Sequence, residues 1–257
     1  MTCALEPILR EAGRLMLSFG QIEVHQKEGR ANFVTQADVA VQTFLMEGLA
    51  RQFPGAKFFA EEKDDNVLGD SLTFIIDPID GTMNYLRGRQ CSMISVGAVE
   101  GGKAVFGVMY DPYRDMLFHA ERGCGAWCGG ERLHVSDVPP ENAVISLGTA
   151  HYVAGTLEKT ARSVAGVLAN FGDIRRLGAA TRDLSDIACG MSEGSFEWML
   201  QPWDYCAGSL LVEEAGGRCG NILGGGITFA HAIPFMAASA RCFDKLQEVL
   251  QQAAGNA

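Results

Sequence analysis

The sequence predicts a mixed α+β fold, and three observations carry that reading. Leu5, Ile8, Leu9, Ala12, Leu15, Met16 and Phe19 recur at three- and four-residue intervals, the period of one helix face. By contrast, "FIIDP" and "SMISVGAVE" are short continuous apolar runs of the kind that form buried strands. The texture then changes near Pro139 and Pro140, which divides the chain into an N-terminal α+β half, 1–140, and a C-terminal α/β half, 141–257.

The opening segment reads as an amphipathic helix that ends at Gly20. The polar stretch "HQKEGRANFVTQAD" is a loop or a short hairpin, and "VAVQTFLMEGLARQFP" is a second helix stopped by Pro54 and Gly55. "AKFFAEE" and "LTFIIDP" fit buried strands, both running into acids. "SMISVGAVEGGKAVFGVMYDP" is a pair of strands around Glu100-Gly101-Gly102, a hairpin signal. "GAWCGGERLHVS" adds glycine-rich turns and one more strand.

In the second half "AVISLGTA" reads as a strand, "TLEKTARSVAGVLANF" as a helix and "DLSDIACGM" as a short helix. "GSFEWML" is a strand, and "WDYCAGSLLVEEAGG" is a helix with glycine at its C-terminal side. "PFMAAS" and "ARCFDKLQEVLQQAA" close the chain as strand and helix. No repeat, low-complexity tract or long linker interrupts this order.

Composition narrows the function. The 257 residues are 47% hydrophobic and 20% charged, an ordinary globular profile. A formal charge of −10 and a pI near 5.0 argue against a nucleic-acid groove, because an acidic surface repels phosphate backbones. Glu6, Arg10, Glu11 and Arg14 interrupt any signal-peptide core or membrane span, so the expectation is a soluble, cytoplasmic protein with no membrane partner. The eight cysteines form no Cys-x-x-Cys pair and read as reduced, mostly buried thiols. Cys124 and Cys128 with His119 and His134 could be drawn as a zinc site, but the spacing is poor.

The chemistry gathers in acids at element ends: Asp38 near a helix start, Glu61 and Glu62 after one strand, Asp77 and Asp80 after the next, and Asp204 opening a helix. If those ends converge, two carboxylates about 4 Å apart repel by roughly 4 kcal/mol at an effective dielectric of about 20. All-oxygen ligands without a partnering His or Cys suit a hard cation, which makes Mg²⁺ the natural candidate. Taken alone, Glu61 and Glu62 read first as a solvated loop, while Asp204 reads also as a cap or dipole partner and Asp38 as a helix-start signal. Asp77-Pro78-Ile79-Asp80-Gly81-Thr82 offers more, since carboxylates, free N–H groups and a hydroxyl follow a buried strand at one point.

"FAEE", "DPIDGTMNY", "QPWDYCAG" and "EEAGG", in this order and spacing, resemble the inositol monophosphatase family of Mg²⁺-dependent, lithium-sensitive phosphatases. The resemblance runs from "VTQAD" to "PFMAAS" and implies a layered α/β/α/β/α sandwich of the inositol monophosphatase and fructose-1,6-bisphosphatase type, working as a homodimer. It further implies two or three Mg²⁺ ions and direct attack of metal-activated water on a small polyol or sugar phosphate, foremost inositol monophosphate. Under it, Glu61, Asp77 and the Ile79 carbonyl hold the first metal, Asp77, Asp80 and Asp204 the second, and Glu61 shares a third. Asp38 and Thr82, supported by Glu62, orient and deprotonate the water, and Gly81 and Thr82 offer N–H groups to the phosphate. Gly178, Ala179, Ala180 and Glu197 line the polyol pocket, while Lys27 matches a lysine that faces the site in relatives.

Thr82-Met83-Asn84-Tyr85 leans the substrate toward inositol, since inositol phosphatases carry Thr-x-Asn-Phe. Three departures leave specificity open. "RGRQ" (87–90) replaces the usual His-Gly; Thr181, Arg182 and Asp183 stand where small and apolar residues are usual; and Trp198 beside Glu197 is bulkier than expected. Arg182 and Asp183 either reshape the pocket or make an ion pair, with the ion pair favoured. Histidinol phosphate, sugar bisphosphates and nucleotide 3'-phosphates remain alternative substrates, and a regulatory binding protein that keeps the fold is an alternative of another class. An aspartyl-phosphate mechanism fits poorly, because it uses Asp-x-Asp and here the second acid is one residue too far. The run "LGGGIT" reads as a surface turn, since no Lys-Ser/Thr follows it.

Overall fold

A computed structural model describes residues 1–19, 24–26 and 33–255, so Gly20 and Lys27 lie outside the described residues. The first helix, α1 (Thr2–Ser18), buries Leu5, Leu9, Ala12 and Met16 along one face. Two three-residue strands, β1 (Val24–Gln26) and β2 (Phe33–Thr35), pair antiparallel, which is the hairpin alternative. Helix α2 (Gln36–Gln52) begins three residues earlier than its apolar pattern, because Thr35 caps it. The Thr35 hydroxyl accepts N–H bonds from Ala37 and Asp38, and the Asp38 carboxylate accepts the Thr35 N–H in return.

Seven strands form the first sheet, in spatial order β3 (Lys57–Ala60), β4 (Thr73–Asp80), β5 (Met93–Glu100), β6 (Lys103–Asp111), β7 (Met116–Glu121), β8 (Gly125–Cys128) and β9 (Glu131–Arg132). Only β3 and β4 run parallel. The sequence reading missed β7, whose "MLFHAE" carries charged and polar residues at a sheet flank, and the one-turn helix α3 (Thr82–Leu86). The second half continues with β10 (Val144–Leu147), α4 (Thr156–Asn170), β11 (Asp173–Arg175), α5 (Ala180–Ala188) and β12 (Gly194–Leu200). It ends with α6 (Pro202–Glu214), β13 (Arg218–Asn221), β14 (Ile233–Ala238) and α7 (Phe243–Ala253). Here the strand order is β11-β10-β12-β14-β13. The short, polar edge strands β11 and β13 had no apolar run to betray them.

Three apolar clusters stack these elements into five layers. Phe74, Ile76, Val96 and Val108 on one face of the first sheet pack against Leu9 of α1 and Val41 and Leu45 of α2. The opposite face, with Ile75, Met109 and Phe118, packs against Leu184 of α5 and Tyr205, Leu210 and Leu211 of α6, which also meet Phe235 of the second sheet. Ile145, Phe196, Trp198 and Met236 on the far side of that sheet meet α4 and α7 through Val167, Leu246 and Val249. The result is the expected α/β/α/β/α sandwich. Strands covered on both faces read as continuous apolar runs, and all eight residues of β4 are buried.

Two glycines set the height of α6 over the first sheet. A Cβ on Gly97 would stand 2.4 Å from Cys206 Sγ, and one on Gly107 would stand 2.7 Å from the Ala207 carbonyl oxygen. Bare backbone at β5 and β6 therefore lets the helix that begins with Pro202-Trp203-Asp204 lie directly on the sheet. The expectation of mostly buried thiols is corrected. Cys206 and Cys242 are buried, Cys3 and Cys124 are exposed, and the other four are half-buried because they sit at strand ends, caps and edges.

Candidate active site

A strand alternates its side chains, so residues three apart should face opposite sides of the sheet. Asp77 and Asp80 escape this through a β-bulge: Asp77 stands opposite Ser95 and Asp80 opposite Met93, so β4 fits one extra residue into that interval. Ile79 takes the outward position, with its side chain buried against the α1/α2 layer. Both carboxylates thereby turn toward the inner helices, where α6 delivers Asp204 from its first turn. Ligand oxygens of Asp77, Asp80 and Asp204 lie within 4.8 Å of one another, the sole such three-residue group among the described residues.

Each acid is tethered from one side. Asp77 Oδ1 accepts the Ile79 N–H at 3.0 Å, and Asp204 Oδ2 accepts the Gln201 N–H at 3.1 Å in a capping box. Asp80 Oδ2 accepts both the N–H and the hydroxyl of Thr181, at 2.6 and 2.5 Å. Asp38 Oδ2 accepts the Thr35 N–H and hydroxyl at 2.8 and 2.5 Å, while its Oδ1 faces Thr82 Oγ1 at 3.5 Å. That same Thr82 hydroxyl lies 3.3 Å from the Ile79 carbonyl. The helix-start reading of Asp38 and Asp204 is thus correct but incomplete, since one residue both caps its helix and faces the site.

Burial pushes the Asp77 carboxyl well above the usual range, and neighbouring Glu61, Asp80, Asp204 and Asp38 push it further. Asp204 is raised well above that range by burial and then by Asp80, Glu61 and Glu197, against the pull of the Gln201 N–H. Asp80 is raised by burial, with Thr181 and the Gly81 N–H acting in the opposite sense. Such a cluster must hold protons or recruit cations. Buried, all-oxygen and tethered to present carboxylate edges to one point, the donor set fits hard divalent ions.

Beside the acids a cleft of about 260 Å³ opens between the two sheets. Its walls include Glu61, Asp80, Gly81, Thr82, Gly178, Ala179, Ala180, Glu197 and Asp204, so nine predicted site residues converge there. Gly81 adopts φ +83°, a left-handed conformation that starts α3 at the cleft floor. Glu62 is half-buried and its N–H donates to Gln42 Oε1, and it is not among the cleft-lining residues. A second bulge, in β12, brings both Glu197 and Leu200 to the cleft. Glu197 accepts the Ala150 N–H at 2.9 Å, and its carboxyl is pushed up to about 7 by burial and Asp80, against the pull of that N–H and of Arg176.

The structure revises three readings of the sequence. Trp198 does not crowd the pocket: it points to the opposite face of β12, where its indole donates to Ser163 Oγ at 3.0 Å. Arg182 and Asp183 do not pair with each other. Arg182 bonds Asp111 at 3.2 Å and Asp186 at 3.0 Å, whereas Asp183 is buried at the cleft wall. Asn84, which leaned the substrate toward inositol, spends its amide on the carbonyls of Cys91, Leu177 and Gly178 at 2.8–3.1 Å. It staples the 177–180 segment to α3 and is not a cleft residue. Residues 87–90 are exposed beyond α3 and do not line the cleft.

Gly148, Thr149, Ala150, His151, Tyr152 and Arg176 also line the cleft and were not anticipated. They sit in loops after β10 and β11, and the "LGTAHY" stretch carries no spacing that marks a pocket. Thr181 was seen only as a departure from the usual pattern. A hydroxyl one residue past "GAA" was the available signal.

The chain matches the family model described as "Inositol monophosphatase family" over residues 3–254. It is 35% identical over 220 residues to a protein of Mesorhizobium japonicum named inositol-1-monophosphatase, covering 84% of this chain and 83% of that one. It is 34% identical over 222 residues to the Escherichia coli K12 protein named Nus factor SuhB, covering 84% and 83%. Among solved structures, the extragenic suppressor protein suhB of Bartonella henselae superimposes with a TM-score of 0.89 at 33% identity, over 98% of each chain.

Proposed function

The chain belongs to the inositol monophosphatase family, and on that premise we propose that it is a Mg²⁺-dependent phosphomonoesterase of a small polyol or sugar, with inositol monophosphate as the first candidate substrate. The observation that carries this reading is the convergence of Asp77, Asp80 and Asp204, drawn from a bulged strand and a helix start 124 residues further along, onto one point. Glu61, Asp77 and the Ile79 carbonyl would hold one ion, Asp77, Asp80 and Asp204 a second, and Glu61 would share a third. Bound there, Mg²⁺ supplies neutralisation of the phosphate oxygens and acidification of water.

The chain's own groups do the rest. Thr82 Oγ1, between Asp38 Oδ1 and the Ile79 carbonyl, is suited to orient the attacking water, with Asp38 receiving its proton and Glu62 in support. Gly81 and Thr82 would offer N–H groups to the phosphate. Glu197, Gly178, Ala179 and Ala180 would hold the polyol, with the Glu197 carboxyl accepting from a hydroxyl. A homodimer working in the cytoplasm belongs to the same proposal; no helix among the described residues is long and apolar enough to cross a membrane.

A second reading, a sugar bisphosphate, is favoured by Arg176. This exposed guanidinium lines the cleft, reaches Thr149 Oγ1 at 3.5 Å and has no carboxylate pair among the described residues. One experiment tests both readings: phosphate release from inositol monophosphate, sugar mono- and bisphosphates, histidinol phosphate and nucleotide 3'-phosphates, with and without Mg²⁺. Release from none of them refutes the phosphatase, and a strong preference for the bisphosphate selects the second reading.

A further inference from the structure

The cleft is held together by a contact between residues 101 positions apart, Asp80 and Thr181. Thr181 is fully buried in the first turn of α5, and it gives Asp80 Oδ2 two hydrogen bonds, one from its N–H and one from its hydroxyl. The N–H bond needs no particular side chain and would survive with a small apolar residue at this position. The hydroxyl bond depends on the threonine side chain. A carboxylate rotates through a broad torsional well about its last bond, and each donor that meets one of its oxygens narrows that well. Two donors converging on Oδ2 therefore hold the group, and with it the direction of Oδ1, more tightly than one.

Thr181 is itself seated. Arg182, the next residue, reaches out of α5 to Asp111 Oδ2 at 3.2 Å, at the end of β6, and to Asp186 at 3.0 Å one turn further on. Asp111 is buried and also takes Arg114 at 2.8 Å and the N–H groups of Tyr113 and Arg114. The start of α5 is therefore tied to the first sheet at two neighbouring points, through Thr181 to β4 and through Arg182 to β6.

We propose that Thr181 is a positioning residue for Asp80, whose hydroxyl fixes the carboxylate so that its other edge is presented to the divalent cation held with Asp77 and Asp204. The inference rests on the metal reading given above. Groups that orient a metal ligand from behind commonly govern affinity by about 10- to 100-fold, and charge-assisted bonds such as these are the stronger kind.

The test is Mn²⁺ binding to the purified, metal-free full chain, measured by titration calorimetry, beside its melting temperature. Thr181→Val removes only the hydroxyl in a side chain of the same shape, Thr181→Ala removes everything beyond Cβ, and Thr181→Ser restores the donor. The expected result is about 10- to 100-fold weaker Mn²⁺ binding in the Val and Ala variants, with Ser close to wild type. The Mg²⁺ concentration for half-maximal activity should rise in step, with little change in kcat at saturating metal. Mn²⁺ affinity within twofold of wild type in folded Thr181→Ala overturns the inference. Loss of melting temperature without loss of affinity also overturns it, because the hydroxyl then serves the fold alone. A wild-type chain that binds no Mn²⁺ sinks the metal reading itself, a distinguishable failure.

Discussion

Strand β4 and strand β12 each carry a bulge where they reach the cleft, β4 between Asp77 and Asp80 and β12 between Glu197 and Leu200. The device is shared, and the chemistry it presents differs. The β4 side offers two buried carboxylates that join Asp204 and call for cations. The β12 side offers the Glu197 carboxyl, pushed up to about 7, flanked by Thr149, Arg176 and the Ala150 N–H, with Asp183 buried at the same wall. Under the proposed function the first would serve the reaction shared by many esters, and the second would tell one leaving group from another. Burial raises the carboxyls on both sides; at Asp77 and Asp204 several neighbouring acids add to the rise, whereas at Glu197 the push of Asp80 is opposed by the Ala150 N–H and Arg176.

If that division holds, damage to the two sides has different signatures. The largest effect is expected on the acid side, where Asp80→Asn or Asp204→Asn should lower kcat by about 10³-fold or more, since several kcal/mol of charge stabilisation is lost. Steady-state phosphate release checks this, and near-normal turnover in either variant breaks the comparison. On the recognition side Glu197→Gln should leave kcat within a few-fold and raise KM for a polyol monophosphate about 10-fold or more, the scale of one charged hydrogen bond. A fall in kcat without a change in KM would move Glu197 to the reacting side.

The seat of α6 offers an intermediate case. Gly107→Val would press a side chain into the Ala207 backbone and lift the helix that carries Asp204. The expected cost is about 1–3 kcal/mol of stability, read by urea unfolding, together with weaker Mn²⁺ binding. Unaltered stability would mean that the helix is not seated on that glycine.

The smallest effect separates the two sides by pH. A carboxyl whose pKa is raised in the folded state binds protons that the unfolded chain has already released. For Glu197, raised to about 7, stability is therefore lost as pH climbs from the ordinary carboxyl range toward 7 and is level above it. Asp77 and Asp204, raised well above their usual range, act in the same direction. The melting temperature of the metal-free protein should thus fall between about pH 5 and pH 7, and Glu197→Gln should flatten part of that slope. Saturating Mg²⁺ should flatten most of what remains, because cations replace protons on the acid side alone. A melting temperature that rises with pH in the metal-free protein would contradict the sign.

How far the sequence spoke differs between the two sides for the same reason. Five-layer packing leaves a strong trace in composition, because strands covered on both faces read as apolar runs, as in Phe74-Ile75-Ile76 of β4. Asp77 and Asp80 were legible because two carboxylates at the end of such a run have few other uses, whereas Asp38 and Asp204 read equally as helix-start residues. The bulge that points Asp77 and Asp80 the same way was not, although Pro78 lies within it. The recognition side is built from segments at 148–152 and 176–180 that come together only in three dimensions, and "AVISLGTA" read as one strand, although β10 ends at Leu147 and Gly148, Thr149 and Ala150 turn to the cleft. Trp198 misled because strand alternation sends it away from its neighbour, and Arg182 misled because its partners, Asp111 and Asp186, are set by where α5 lands.

Anomalous diffraction from crystals of the full chain soaked in Mn²⁺ bears most directly on whether the carboxylates converge in order to hold cations. Strong peaks are predicted within coordination distance of Asp77, Asp80 and Asp204, with the Thr181 contact to Asp80 unchanged. A density map without peaks there, and with those three side chains turned apart, would contradict the account.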